Sequence, residues 1–321
     1  MTDFMISIVI PVFNESKQIE HTIGVLQTLM EQSGFVYELI LVDDGSTDNT
    51  WAVISGVARR DSRIRALQLS RNFGKEAALC AGLDVTKGDA CIVMDADLQH
   101  PPALIPEMVR LWREEGYPIV EAVKRSRGRE SFINRFAAST FYKLMQRLSR
   151  LELNQASDFK LLDARIVAAW RLLRERQTFF RGLSSWLGFP RAQVFFEVGD
   201  RLHGTSGWST LRLFRLAINA ITSFSSLPLQ IVTVLGGVFM AGAIPLGIQT
   251  LYNWFSGIAV SGFTTVILLL LIVGSVLMLS LGIIGTYIAN IFEEVKDRPR
   301  YLVQSDSSAD DKCLNKRITH E

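Results

Sequence analysis

Ala90-Cys91-Ile92-Val93-Met94-Asp95-Ala96-Asp97-Leu98-Gln99-His100-Pro101-Pro102 decides how the chain folds. The apolar run at its start predicts a buried β-strand, and Asp95 and Asp97 then fall at the strand's C-terminal end. Open α/β sheets bind their ligands at that end. Carboxylates suit a hard divalent cation, Mg²⁺ or Mn²⁺, which takes one or two of them and completes its shell with water and substrate phosphates. The same residues also read as a turn and a helix start, because Pro101-Pro102 precede Leu104, Ile105, Met108, Leu111 and Trp112 at helical spacing.

Upstream, Ile6-Ser7-Ile8-Val9-Ile10 predicts a strand and Pro11-Val12-Phe13-Asn14-Glu15 the loop leaving it. Ile19, Ile23, Leu26 and Met30 follow at helical spacing. Leu39-Ile40-Leu41-Val42 predicts a second strand, ending in Asp43-Asp44. Gly45-Ser46-Thr47-Asp48 then offers a turn and helix cap before Val53, Ile54 and Val57. Three such units by residue 112 predict an α/β fold with a mostly parallel, doubly wound, Rossmann-like sheet. No G-x-G-x-x-G or G-x-x-x-x-G-K-[ST] follows these strands, so the usual backbone cradle for phosphates is missing. A nucleotide on this sheet would need acids for its ribose and base, and a metal for its diphosphate.

The 321 residues are 48% hydrophobic, with a mean hydropathy of +0.22, too apolar for a single soluble domain. The excess lies after residue 226. Residues 227–255 and 263–292 carry no charge, and each is long enough to cross a hydrocarbon core of about 30 Å, so they predict a two-helix transmembrane hairpin. Pro245 predicts a bend in the first helix, and Gly274, Gly282 and Gly285 permit close approach in the second. The connection 256–262 lacks Lys and Arg, whereas Arg212 and Arg215 precede the hairpin and Lys296, Arg298 and Arg300 follow it. Positive charge stays inside, so the soluble domain and both termini are expected in the cytosol. The short apolar run 6–12, interrupted by Pro11, does not read as a signal peptide. The tail 293–321 is expected to be cytosolic and disordered after residue 304, where Ser and Asp dominate.

A net charge of +2 argues against a nucleic-acid binder. Cys80, Cys91 and Cys313 form no C-x-x-C pair and the four histidines no H-E-x-x-H, so zinc has no support, and Cys80 and Cys91 are expected to pack. The basic run Lys124, Arg125, Arg127, Arg129 and Arg135 reads either as a solvated loop or as donors to phosphate oxygens. Apolar residues at helical period near 132–148, and again near 210–225, suit interfacial helices on a membrane; packing on the sheet suits the first period equally.

Five motifs occur in one order: Pro11-Val12-Phe13-Asn14-Glu15, Val42-Asp43-Asp44-Gly45-Ser46, Ser70-Arg71-Asn72-Phe73-Gly74-Lys75-Glu76, the Asp95–Pro102 stretch, and Ser157-Asp158-Phe159-Lys160-Leu161-Leu162. Arg181-Gly182-Leu183, Arg201-Leu202-His203-Gly204-Thr205-Ser206 and the two apolar spans extend the pattern. Together these resemble family-2 glycosyltransferases of the GT-A fold, within the polyprenyl-phosphate group that contains dolichol-phosphate mannose synthase and the bactoprenol glucosyltransferases. The resemblance implies a GT-A domain over residues 1–226. It also implies inverting, metal-dependent transfer of a hexose from a nucleotide-sugar donor, UDP-glucose first, to undecaprenyl or another polyprenyl phosphate at the cytosolic face of a bacterial inner membrane. Such a lipid-linked sugar would supply cell-envelope glycan or lipopolysaccharide modification, and the resemblance allows a homo-oligomer.

By the same resemblance Pro11, Phe13, Glu15, Val42 and Asp44 would line the base and ribose pocket. Asp95, Ala96, Asp97 and Gln99 would face the diphosphate, with Asp95 and Asp97 on the metal, and Lys75 would contact the nucleotide-sugar. Lys124, Arg125, Arg135 and Arg201 would meet phosphate or acceptor, and Asp97 and Asp158 would be catalytic. Asp158 matches the residue proposed as base in that group. A phosphate monoester with a second pKa near about 6 is already mostly ionised, so orienting the acceptor or balancing charge is an equal role. Gly207 stands where the group has Lys, which keeps a second reading open: a non-catalytic membrane subunit or scaffold that binds nucleotide-sugar. A processive synthase would want more spans and a Gln-x-x-Arg-Trp element, and a transporter an ionisable residue inside a span.

Overall fold

Ile6, Ile8 and Ile10 alternate with Ser7 and Val9 along β1 (Met5–Val12), and this period of two sorts side chains to opposite faces of a sheet. The computed structural model describes residues 4–124, 158–173, 180, 187–196, 227–257 and 263–308. Both interfacial-helix candidates, together with Arg125, Arg135, Arg181, Arg201 and Gly207, lie outside the described residues. On one face Ile6, Ile8 and Ile10 join a core with α1 (Ile19–Gln32), α2 (Thr50–Arg60) and α4 (Ile105–Arg113). On the other, Val9 meets α3 (Lys75–Val85) so closely that a Cβ on Gly82 would stand 2.3 Å from Val9 Cγ1. Only glycine lets that helix seat.

β1 pairs in parallel with β2 (Val36–Asp43) and β4 (Ala90–Val93), and β2 with β3 (Ile64–Leu69). The sequence predicts three strand-helix units by residue 112, and the sheet holds four. The missed unit is β3 with α3. That helix buries every residue from Ala77 to Leu83, so it shows none of the polar alternation that marks a surface helix.

β5 (Ile119–Lys124), β6 (Lys160–Asp163) and β7 (Arg191–Phe196) extend the sheet beyond β4. β6 runs antiparallel between β4 and β5, which brings the residues just before it to the same sheet end as Asp95. Asp163 then caps α5 (Ala164–Leu172) by accepting from the Arg165 amide. Cys80 and Cys91 are buried, as expected.

The expected disorder after residue 304 is overturned up to residue 308. β8 (Val303–Asp306) pairs antiparallel with β3 and closes the order β7-β5-β6-β4-β1-β2-β3-β8. Arg65 grips Asp306 with two bonds of 2.6 and 3.2 Å. Ala66 N–H donates to Ser307 Oγ, Ser307 N–H donates back to Ala66 O, Ser70 N–H donates to Leu302 O, and Tyr301 OH donates to Asp84. Polar composition mimics disorder here because an edge strand keeps a solvated face and takes its order from backbone pairing.

Burial pushes the Asp306 carboxyl up, but Arg65 and Ser308 outweigh it and hold it below its ordinary value. A depressed folded pKa means stability that is present above the ordinary range near pH 4 and lost as pH falls through the lowered value. Hydrogen exchange, corrected for intrinsic rates, is therefore expected to show the Ala66 and Ser70 amides losing protection as pH falls below the ordinary carboxylate range near about 4, and Asp306→Ala losing it already at pH 7. Protection that survives in Asp306→Ala would mean the pairing does not depend on this contact.

A second compact unit consists of α6 (Leu227–Phe255) and α7 (Phe263–Val295). Both are long and apolar enough to cross a membrane. α7 runs past the expected end at 292 to take in Glu293 and Glu294, and α6 continues on both sides of Pro245. Met240 and Met278 keep 67% and 74% of their surface exposed, which suits helices whose solvent is lipid. Thr233, Ser280 and Thr286 donate to carbonyls one turn back, so these hydroxyls are satisfied within their own helices.

Candidate active site

The loop leaving β1 places Pro11, Val12, Phe13 and Glu15 at the C-terminal end of the sheet, with Phe13 43% exposed. Asn14 adopts φ +57, which Asn tolerates better than most residues. Its Oδ1 accepts from Thr47 N–H, while its own N–H donates to Ser46 Oγ. Glu15 N–H donates to Thr50 Oγ1 and Ser16 N–H to Asp48, so this loop is fastened to the β2–α2 turn.

That turn in turn grips the β3–α3 loop. Asp44 accepts from Phe73 N–H at 2.7 Å and Gly74 N–H at 2.9 Å, one bond on each oxygen. Burial outweighs these bonds and leaves its carboxyl raised. Gly45 has φ +67, and a Cβ there would stand 2.4 Å from Arg71 C and 2.6 Å from Asn72 N. Both obstacles are backbone. Gly45→Ala is expected to cost about 1–3 kcal/mol from the dihedral alone and to displace the loop, lowering the melting temperature. An unchanged melt would mean the loop yields freely.

The gripped loop delivers Lys75, the first residue of α3. Its Nζ lies 2.6 Å from Asp95 Oδ1 and 2.8 Å from Asp158 Oδ2. Burial acts to lower the Lys75 pKa, but the two carboxylates prevail and raise it, so the ammonium stays charged. Asp158 is buried and stands just ahead of β6. At the end of β4, Ala96 O accepts from Thr22 Oγ1 and Asp97 Oδ1 from Gln99 N–H. Leu98 between them has φ +54, a conformation L side chains rarely adopt. Glu15 is pushed up first by burial, then by the charges of Asp97 and Asp48. His100, against Phe159 and Phe196, is pushed down by burial despite the nearby acids, which favours a neutral imidazole at neutral pH.

These side chains enclose a cleft of about 330 Å³. Pro11, Phe13, Glu15, Asp44, Lys75, Asp95, Ala96 and Asp97, all singled out from sequence, line it. Val42 does not: it is fully buried in the core, on the side where α3 packs, and offers a ligand no surface. Gln99 is exposed and outside the cleft wall. Asn72 and Gly74 line the cleft although the sequence reading gave them no role; their place in the quoted motif was the available signal. Lys124 ends β5, where its backbone pairs beside Phe196. Arg125, Arg135 and Arg201 lie outside the described residues.

Beneath Asp158 lies a buried ion pair that no motif announces. Lys160 Nζ is 2.9 Å from Glu121 Oε1, the two side chains being 0% and 2% exposed, and Arg191 approaches the same oxygen at 3.9 Å. Lys160 and Glu121 are cross-strand partners in the β5–β6 ladder. Burial lowers the Lys160 pKa, and Glu121 opposes that.

Among the described residues no group of three or more His, Cys, Asp or Glu side chains could hold a metal unaided. Asp95 and Asp97 nonetheless fit a hard cation that takes the rest of its shell from substrate oxygens.

The model for glycosyl transferase family 2 matches residues 7–172. An uncharacterized glycosyltransferase, sll0501, of Synechocystis is 40% identical over 303 residues, covering 93% of this chain and 94% of the relative. The bactoprenol glucosyl transferase of Shigella phage SfX is 36% identical, covering 94% and 99%. Among solved structures, mannosyl-3-phosphoglycerate synthase from Rubrobacter xylanophilus superposes with a TM-score of 0.48 at 19% identity, covering 68% of this chain and 73% of that one.

Proposed function

The chain belongs to glycosyl transferase family 2, and on that premise we propose that it transfers a hexose, glucose from UDP-glucose first, to the phosphate of undecaprenol or a similar polyprenol. One observation carries the reading: four carboxylates, Glu15, Asp44, Asp95 and Asp97, and the Lys75 ammonium line a cleft walled by Pro11 and Phe13 at the C-terminal end of the sheet, with Asp158 on the same ammonium. The near full-length similarity to a bactoprenol glucosyl transferase supports the lipid acceptor, and the two apolar helices support residence in a membrane.

In the proposed reaction an oxygen of the acceptor phosphate attacks the anomeric carbon, and the sugar's bond to the diphosphate breaks with its electron pair on the leaving group. Phe13, the most exposed apolar wall, offers a face for a base to stack on. Asp95 and Asp97 would hold a divalent cation, Mg²⁺ or Mn²⁺, which supplies Lewis acidity to the diphosphate. Lys75 brings a fixed positive charge to the same region, where negative charge develops as the bond breaks. Asp158 keeps Lys75 placed. The Asp158 oxygen that meets Lys75 is occupied by that ammonium, which favours placement over proton abstraction. Asp158→Asn is therefore expected to lower kcat by about tenfold at saturating acceptor, whereas removing a general base would cost about 10²–10⁴-fold.

Charge supports a cytosolic catalytic domain: Lys296, Arg298 and Arg300 follow α7 directly. Val303 joins the sheet so soon after Val295 that the extended stretch between them reaches at most about 29 Å, too short to recross a bilayer of about 40–45 Å.

The deciding experiment measures sugar transfer to undecaprenyl phosphate in detergent, comparing UDP-glucose, UDP-galactose, UDP-N-acetylglucosamine and GDP-mannose with Mg²⁺ or Mn²⁺. Transfer from one donor, abolished by chelator, is expected. A protein that binds nucleotide and metal but transfers from no donor would be a binding subunit, the reading that Gly207 favours.

A further inference from the structure

We infer that Lys75 is the resident cation of the donor site: without nucleotide its ammonium occupies Asp95, and a divalent ion gains that carboxylate only when a diphosphate draws Lys75 away. This rests on the proposed function and adds to it an order of binding. The geometry is specific. The Lys75 Nζ bridges Asp95 and Asp158 at 2.6 and 2.8 Å, neutralising two acids that stand far apart in sequence. Lys75 holds one oxygen of Asp95, and in a partly desolvated cleft its charge repels a divalent ion approaching the other, so the two compete for that carboxylate.

Two further observations fit a cation that moves. The side chain keeps 41% of its surface exposed, so packing does not lock it. Its Cα, by contrast, is fixed by the α3 start and by the Asp44 bonds to Phe73 and Gly74, so the ammonium swings from a constant pivot. Among the described residues no group of three or more acidic, Cys or His side chains could hold a metal, so an ion on Asp95 and Asp97 gains ligands when a diphosphate brings its oxygens. The diphosphate thus does two things at once: it offers Lys75 a new anion and the metal its missing ligands. By linkage, nucleotide and metal must then tighten one another by the same factor.

The test is Mn²⁺ binding to the full-length protein in detergent, read from the loss of the free-ion electron paramagnetic resonance signal, with and without UDP. Wild type is expected to bind Mn²⁺ at least tenfold more tightly with UDP than without. Lys75→Met is expected to bind nucleotide-free Mn²⁺ at least tenfold more tightly than wild type, with most of the UDP-dependent gain gone. Lys75→Arg keeps the charge and should hold nucleotide-free Mn²⁺ affinity nearer to wild type than Lys75→Met does; it also controls for loss of structure at this position. If wild type tightens with UDP but Lys75→Met leaves nucleotide-free affinity unchanged or weaker, Lys75 does not guard Asp95 and this inference falls while the proposed function stands. If neither protein binds Mn²⁺ under either condition, the metal role falls with it.

Discussion

Asp97→Asn is expected to lower kcat/KM for sugar transfer by about 10³-fold while leaving the melting temperature within a degree or two of wild type. Asn has the shape of Asp and retains an oxygen to accept from Gln99 N–H, so the turn after β4 survives. What disappears is one negative charge beside a cleft that must hold a cation and a diphosphate together. Asp95 cannot replace it, because the proposed ion draws on both carboxylates and Asp95 already supplies the other. A second readout comes from Glu15, whose carboxyl is raised first by burial and then by the charge of Asp97. Removing that charge should bring the Glu15 pKa down toward its ordinary value, observable as a shift of its side-chain resonance with pH. A variant that transfers sugar at a tenth of the wild-type rate or better would remove Asp97 from the metal site.

The sheet was legible because its strands end in chemistry. Apolar runs stopping at Asp43-Asp44 and at Asp95-Ala96-Asp97 mark strand ends and ligand ends together, and β2 and β4 lie where those runs predict. What escaped has physical reasons. α3 is buried throughout Ala77–Leu83 and carries no amphipathic stripe. β8 is polar because it is an edge, so composition gives disorder where Arg65, Ala66 and Ser70 give order. Val42 belongs to a matching motif, yet strand alternation turns it into the core. The bridge from Lys75 to Asp158 joins residues 83 positions apart, and no local pattern encodes such a meeting. It follows only once β6 runs antiparallel beside β4 and presents its start next to the end of β4.

The same topology makes the pair beneath Asp158 costly to break. Glu121→Ala is expected to destabilise the protein by about 3–5 kcal/mol, because it leaves the Lys160 amine, with 0% of its side chain exposed, without the partner that offsets its burial. For a domain of this size that corresponds to a fall of roughly 10 °C in melting temperature. Arg191, with 22% of its side chain exposed, can turn to water and adds little to the penalty. The double variant Glu121→Leu with Lys160→Met removes both charges and keeps the volume. Burying an ion pair costs desolvation that apolar packing avoids, so the double variant should recover most of the lost stability or exceed wild type. Transfer should recover with it, since Lys75, a cation within hydrogen-bond reach of Asp158, remains in place. A double variant with a wild-type melt and transfer still down a hundredfold would show instead that the Lys160 charge, two residues along from Asp158, acts on the reaction itself.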